Sequence, residues 1–155
     1  MSELPGEHRY GAGEIVHAAA RGAIAAMAMT GMRAFTVSAG IVEQPPPQAI
    51  FRQRAKGLLR RVPRRRRRAL IELAHWAYGA GGGAVFGALP DPIRHRPWAG
   101  PVYGLAIWAG FEAGIAPVLG LRQASERRLL ERGALAADHL LYGLVLSEIR
   151  RRPRH

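Results

Sequence analysis

Six ionisable side chains interrupt otherwise apolar stretches of this sequence, and their types could support proton transfer or metal binding. They are Arg33, Glu72, His75, Glu112, Asp138 and His139. Histidine changes charge near neutral pH, so His75 and His139 could relay protons, with Glu112 as the carboxylate. Arg33 and Glu112 fall at similar depths of parallel segments, which makes them a candidate ion pair.

The same residues have two other interpretations. The preferred one is that they pair with one another and fix helix packing, as polar groups do inside membranes. The remaining one is cofactor binding, because two histidines at one level could ligate haem, and Glu72-x-x-His75 has the spacing of dinuclear carboxylate bundles. Asp138 followed by His139 does not supply a second such motif. We therefore predict neither a metal site nor another cofactor.

Enzymatic motifs are missing from the sequence. There is no cysteine, no glycine-rich phosphate loop after a strand and no metalloprotease helix motif. Ser38, Ser125 and Ser147 lie in no recognisable nucleophile setting. We predict that the protein is not an enzyme.

Four apolar segments must position these groups: residues 15–42, 69–89, 99–121 and 133–149. Each is about long enough to cross a bilayer, and none alternates with period two, so helix is favoured over strand. Segment 99–121 holds one charge, Glu112, and offers water no polar face. The prediction is an all-α, four-transmembrane-helix bundle forming one integral membrane domain over residues 1–155, with a soluble four-helix bundle as the alternative.

Glycines recur at four-residue spacing in these segments. This spacing lets helix backbones approach closely in lipid. We predict helix packing at Gly79, Gly83, Gly87, Gly110 and Gly114, and a homo-oligomer through exposed small-residue faces.

Arginine distribution predicts the orientation. The segments on one side of the predicted membrane carry fourteen arginines and lysines, and those on the other side carry seven. Since positive loops stay in the cytoplasm, residues 43–68 form a basic cytoplasmic loop of a bacterial plasma (inner) membrane protein, and both termini lie outside.

Net charge of +12 at pH 7 suits nucleic acid or anionic lipid. No groove-reading motif or stacking array accompanies the charge, so we predict anionic membrane lipids as partners and no nucleic acid. The predicted headgroup ligands are Arg52, Arg54, Lys56, Arg60, Arg61, Arg64, Arg65, Arg66, Arg67 and Arg68.

An amphipathic interfacial helix is predicted within this loop. Phe51, Ala55, Leu58, Leu59 and Val62 fall on one helical face, and basic residues spread around the rest. The prolines at 45–47 end the first span before it.

A short phrase occurs twice. "AHWAYG" (residues 74–79) and "DHLLYG" (residues 138–143) both contain His-x-x-Tyr-Gly. One span separates them, so the repeat indicates two similar helical hairpins related by an axis along the membrane normal.

Most of the chain from about residue 21 to 147 resembles a known family. The phrases "EQPPPQAI", "AHWAYGAGGGAVFGAL", "GPVYGLAIWAGFEAGIAPVLGL" and "DHLLYGLVL" are similar to those of small bacterial inner-membrane proteins of unknown function related to YagU. The resemblance implies a helical plasma-membrane protein and carries over no catalytic residue or substrate. The arginine-rich first loop and Glu112 depart from the family pattern.

Together these features predict a structural or accessory membrane component with a buried polar cluster. A small proton- or solute-conducting protein is the alternative, and a haem- or metal-binding bundle is the third reading.

Overall fold

The computed structural model describes residues 11–41, 56–118 and 129–148, and within these ranges the chain is all-α, with helices and turns and no strand. The helices are α1 (Ala12–Ser38), α2 (Lys56–Arg61), α3 (Arg64–Gly87), α4 (Asp91–Arg94), α5 (Ala99–Gly110), α6 (Ala116–Val118) and α7 (Leu129–Glu148). A π-helical turn, Phe111–Ile115, joins α5 to α6. The all-α prediction is confirmed.

The first hairpin packs α1 against α3 through small residues. A Cβ added to Gly83 would lie 2.3 Å from the Ala18 carbonyl oxygen, and one added to Gly79 would lie 2.4 Å from the Ala26 Cβ. A Cβ on Gly22 would meet the Gly79 carbonyl at 2.2 Å. Because these contacts run in opposite sequence directions, the helices are antiparallel. Only glycine allows this approach of the two backbones.

The second hairpin packs α5 against α7 in the same manner. A Cβ on Gly100 would lie 2.3 Å from the Gly143 carbonyl oxygen, and one on Gly104 would lie 2.1 Å from that of His139. These contacts also run antiparallel. Gly79 and Gly143, the last residues of the repeated phrase, therefore occupy matching positions in the two hairpins.

The hairpins join where α1 packs on α7, with Met29, Tyr142 and Leu146 in the shared core. Helices α3 and α5 make far fewer contacts and meet mainly at Tyr103, whose hydroxyl donates to the Gly82 carbonyl at 2.7 Å. The bundle is thus tightly closed on one side and looser along the α3–α5 seam.

Arg94 ties the short helix α4 to the end of α3. Its guanidinium is buried, donates to the Gly87 carbonyl at 2.6 Å, pairs with Asp91, and lies 3.9 Å from a Glu14 carboxylate oxygen. A cation at the carboxyl end of a helix satisfies free carbonyls and complements the helix dipole. This end of the bundle is therefore fastened by a side chain.

Pro117 accounts for the π turn in the third apolar segment. Proline has no N–H for the carbonyl four residues earlier, and its ring opposes an α turn there. The Ala116 N–H accordingly bonds to the Phe111 carbonyl, five residues back. Glu112 lies within this turn.

Helix boundaries differ from the predicted spans. α1 covers Ala12–Ser38, where the prediction was 15–42. α3 begins at Arg64, five residues before the predicted start, so the five arginines are helical. The described part of α7 starts at Leu129, before the predicted residue 133. A helical start on charged residues is invisible to a search for apolar runs, because the water-exposed first turn needs no apolar face.

Parts of the predicted loops lie outside the described residues. These parts are residues 42–55, which include Arg52, Arg54, Phe51, Ala55 and the three prolines, and residues 119–128. Within the predicted interfacial helix the structure describes α2, a six-residue helix at Lys56–Arg61.

Gly110 and Gly114 do not pack closely against another described helix. A Cβ at either position would meet no described atom within 4 Å. Close packing of α5 instead uses Gly100 and Gly104, which lie about three and two turns before Gly110. Spacing alone does not reveal which glycine pair faces the partner helix.

Large apolar side chains point outward from the bundle. The exposed ones include Val16, Ile24 and Phe35 on α1, Leu73 and Val85 on α3, Val102 on α5, and Leu130 and Leu144 on α7. Among the described helices, α1 alone is both long and apolar enough to cross a membrane, and only 28% of its most apolar stretch is buried. α3 is diluted by glycine and polar residues, the π turn divides the third segment, and α7 carries Glu131, Arg132 and Asp138.

Candidate functional site

A buried ion pair joins the two hairpins. The Arg33 Nε lies 3.3 Å from the Asp138 Oδ2, and the two residues are 6% and 2% exposed. Arg33 lies on the face of α1 that packs against α7, which brings it to Asp138. The predicted pair of Arg33 with Glu112 is thus replaced by a pair with Asp138, because α1 lies against α3 and α7 and not against the π turn.

The same arginine contacts α3. Its Nη2 lies 2.9 Å from Nε2 and 3.1 Å from Nδ1 of His75. A guanidinium has only donors, so the contacted ring nitrogen accepts, and the imidazole is neutral there. One side chain therefore bridges α1, α3 and α7.

A second set of polar contacts lies about one helical turn from Arg33. The Thr30 hydroxyl lies 3.0 Å from Oε2 of Glu72 and accepts from Nε1 of Trp76 at 3.1 Å. Thr30 and Arg33 share a face of α1, and Glu72 and Trp76 share a face of α3. The structure therefore gathers Arg33, Glu72, His75 and Asp138 into one cluster between the helices.

His139 belongs to a neighbouring cavity. A cavity of about 350 Å³ lies between α1, α3, α5 and α7, and His75, His139, Tyr78, Tyr103 and Tyr142 line it. The His139 Nδ1 donates to the Leu135 carbonyl of its own helix at 2.8 Å. The Tyr142 hydroxyl crosses to α3 and donates to the Gly79 carbonyl at 2.7 Å.

The described arginines of the predicted headgroup set lie in α2 and at the start of α3. Arg60, Arg61, Arg64, Arg65, Arg66 and Arg68 are exposed, and Arg67 donates from Nε to the Val62 carbonyl at 3.0 Å. The first turn of α3 contains no acidic residue. Cations at a helix amino terminus oppose its dipole, by roughly 0.3–1 kcal/mol each. The arginines therefore do not stabilise α3 through its dipole.

No group of three or more histidine, aspartate and glutamate side chains suited to a metal ion occurs in the described ranges. Glu72 turns toward Thr30 and His75 toward Arg33, so these two are committed to other partners.

Sequence reasoning missed Thr30, Trp76 and Tyr142. Thr30 could have been found as the polar residue three positions before Arg33, and Trp76 as the residue four positions after Glu72. Tyr142 was visible in the repeated phrase, but its bond to the Gly79 carbonyl depends on how the hairpins dock.

Comparison with known proteins adds no assignment. No family model, curated protein or solved structure matches this chain, and its likeness to YagU-related proteins stays a prediction.

Proposed function

We propose that this protein is a four-span component of the bacterial plasma membrane with a structural or accessory role, in which the Arg33–Asp138 pair locks two helical hairpins together. The observation that carries the proposal is the distribution of polarity. Val16, Phe35 and Leu73 are 66%, 65% and 57% exposed, whereas the charges of Arg33 and Asp138 are buried. Water-soluble proteins bury the former and expose the latter.

The environment outside the bundle explains this reversal. Lipid solvates apolar side chains on every helix, while charges must pair inside. Large apolar side chains exposed on several helices are typical of a surface that contacts a membrane or another protein. α1, the helix that is long and apolar enough to span, contributes much of this exterior.

The ion pair favours a structural role over conduction. Arg33 contacts both Asp138 and His75, so it holds groups from α3 and α7 at once. Polar contacts between membrane helices specify which faces pack. Moving protons or solutes past Arg33 would require breaking the contacts that join the hairpins.

The exposed arginines at the start of α3 suit anionic headgroups. They oppose the helix dipole, so they destabilise the helix unless an anion compensates them. The cytoplasmic leaflet supplies such anions, with about 1 kcal/mol gained per basic residue near the surface.

Exposed Gly110 and Gly114 would suit a second copy of the chain, and we retain a homo-oligomer in the proposal.

Cysteine labelling tests the membrane location, since the chain has no native cysteine. The variants are Leu73→Cys, Gly57→Cys and His95→Cys, all at exposed positions. A membrane-impermeant maleimide is added to intact cells, to permeabilised cells and to detergent-denatured protein.

Each position has a distinct expected result. His95→Cys should react in intact cells, Gly57→Cys only after permeabilisation, and Leu73→Cys only after denaturation because lipid covers it. A soluble bundle would label at Leu73→Cys as fast as at Gly57→Cys once the cells are opened. That result would overturn the proposal.

A small conducting protein is the second candidate, favoured by the cavity beside the pair. Exchanging the charges, with Arg33→Asp and Asp138→Arg together, separates the two functions. A packing role predicts that stability and cellular phenotype recover together, whereas conduction predicts recovered stability without recovered activity.

A further inference from the structure

The loose seam between α3 and α5 contains a cavity that the ion pair does not fill. Its volume is about 350 Å³, within the usual range of small-molecule sites, roughly 300–1,000 Å³. Gly81 and Gly82 line it where larger residues would close it, and a Cβ on Gly81 would meet nothing within 4 Å. The lack of side chains at these two positions of α3 therefore helps to form the cavity.

One end of this cavity offers a hydrogen-bond acceptor. The Nδ1 of His139 donates to the Leu135 carbonyl, so the neutral imidazole keeps its lone pair on Nε2. No described residue donates a hydrogen bond to that Nε2. His75 also lines the cavity, but both of its ring nitrogens lie within 3.1 Å of the Arg33 Nη2. The cavity end thus presents one hydrogen-bond acceptor, Nε2 of His139.

The remaining walls are apolar and aromatic. Ala26, Met29 and Ile107 line the inner side, and the rings of Tyr78, Tyr103 and Tyr142 surround the space. Aromatic rings favour stacked or edge-to-face contact with another ring. Among the residues that the structure describes, no lysine or arginine lines the cavity, and the nearby Arg33 is already neutralised by Asp138. A charged ligand would find no counter-ion.

The cavity reaches the outer surface of the bundle. Tyr78 and Val85 line it and are 56% and 59% exposed, so it opens sideways between α3 and α5. In the proposed membrane location, on which this inference rests, that opening faces the lipid. A ligand would enter from the bilayer.

We propose that this cavity binds a neutral, lipid-soluble phenol or quinol, whose ring lies among the tyrosines and whose hydroxyl donates to Nε2 of His139. The hydrophobic tail leaves through the opening beside Val85. No redox step is included in the proposal.

Binding is measured by equilibrium dialysis of the full chain in phosphatidylcholine nanodiscs. The probe is a radiolabelled benzoquinol with a ten-carbon chain, kept reduced, and the matched comparison is its dimethyl ether, which has no donor. The quinol should bind saturably and about tenfold more tightly than the ether, the value of one added hydrogen bond. Equal binding of the two compounds, or no saturable binding of the quinol, would overturn the proposal.

Two variants place the probe in the cavity. Gly81→Leu should weaken both compounds at least tenfold by occupying the space, whereas Gly31→Leu, a glycine of α1 that also has open surroundings, should leave both unchanged. His139→Phe should remove the preference for the quinol. If His139→Phe does not fold, Gly81→Leu alone tests the site. Unchanged binding of the two compounds by Gly81→Leu would refute the proposal.

Different results would overturn the proposed membrane location and the proposed quinol site. Labelling of Leu73→Cys in opened cells would remove the membrane location. A chain that passes the labelling test yet binds no quinol, or carries only phospholipid, overturns this inference alone.

Discussion

Replacing Asp138 by asparagine should reveal how strongly the buried pair holds the hairpins together. At the observed 3.3 Å separation, two unit charges attract by about 5 kcal/mol at an effective dielectric constant of roughly 20. Much of this offsets the cost of burying the charges, so the pair contributes little net stability compared with an apolar pair. Asp138→Asn, however, leaves the buried Arg33 with the neutral His75 contact and the more distant Glu72 carboxylate. We expect a loss of about 3–5 kcal/mol.

Two further variants identify the cause. Arg33→Met with Asp138→Leu removes both charges and should remain within about 1–2 kcal/mol of the natural protein, because no charge is stranded. Glu14→Gln is the matched control, since its carboxylate side chain is 60% exposed and lies 3.9 Å from Arg94. An exposed pair is worth at most about 1 kcal/mol.

The assay is reversible unfolding in mixed micelles with increasing dodecyl sulfate, followed by tryptophan fluorescence. The double variant and its two component single variants, Arg33→Met and Asp138→Leu, form a cycle whose coupling free energy measures the pair. The reasoning is refuted if Asp138→Asn loses less than about 1 kcal/mol, or if the double variant loses the sum of the single losses.

Three other perturbations follow from the fold. Gly79→Ala should destabilise by about 1–3 kcal/mol in the same unfolding assay, because its Cβ would lie 2.4 Å from that of Ala26, whereas Gly31→Ala has open space and should not. Changing the arginines at 64–68 to glutamine should lower vesicle binding at low salt when the vesicles contain anionic lipid and leave neutral vesicles unaffected; an equal loss on both would contradict the headgroup assignment. Pro117→Ala should restore an α turn and raise stability by up to about 3 kcal/mol, and a fall in stability would show that another feature imposes the π turn.

The all-α class followed from apolar runs without period two, and the packing role of Gly79, Gly83 and Gly87 followed from their spacing. The ion-pair partner of Arg33 could not be predicted from the sequence. Depth along a span can be read by counting residues, but the direction in which a side chain points around the bundle depends on which helices are neighbours. Arg33 points toward α7, so it meets Asp138 and not Glu112.

The cavity was also beyond reach of the sequence, for a related reason. Gly81 and Gly82 belong to the same glycine-rich run as Gly79 and Gly83, and nothing in the run distinguishes them. On a helix, neighbouring positions point about 100° apart, so Gly79 and Gly83 bring α1 close. Gly82 makes room for the Tyr142 hydroxyl, and Gly81 has open surroundings beside the cavity. One glycine-rich run of α3 therefore allows close helix packing on one face and lines the cavity on another.

The repeated phrase shows how two similar hairpins can acquire different roles. Its glycines, Gly79 and Gly143, each allow a close helix approach within their own hairpin. Its tyrosines differ: Tyr142 is buried and donates to the Gly79 carbonyl of the other hairpin, whereas Tyr78 is 56% exposed at the cavity opening. The contact that docks the hairpins therefore uses one copy of the tyrosine and leaves the other free to line the seam. Because a symmetric pair would use both tyrosines alike, the opening between α3 and α5 is where the two hairpins differ.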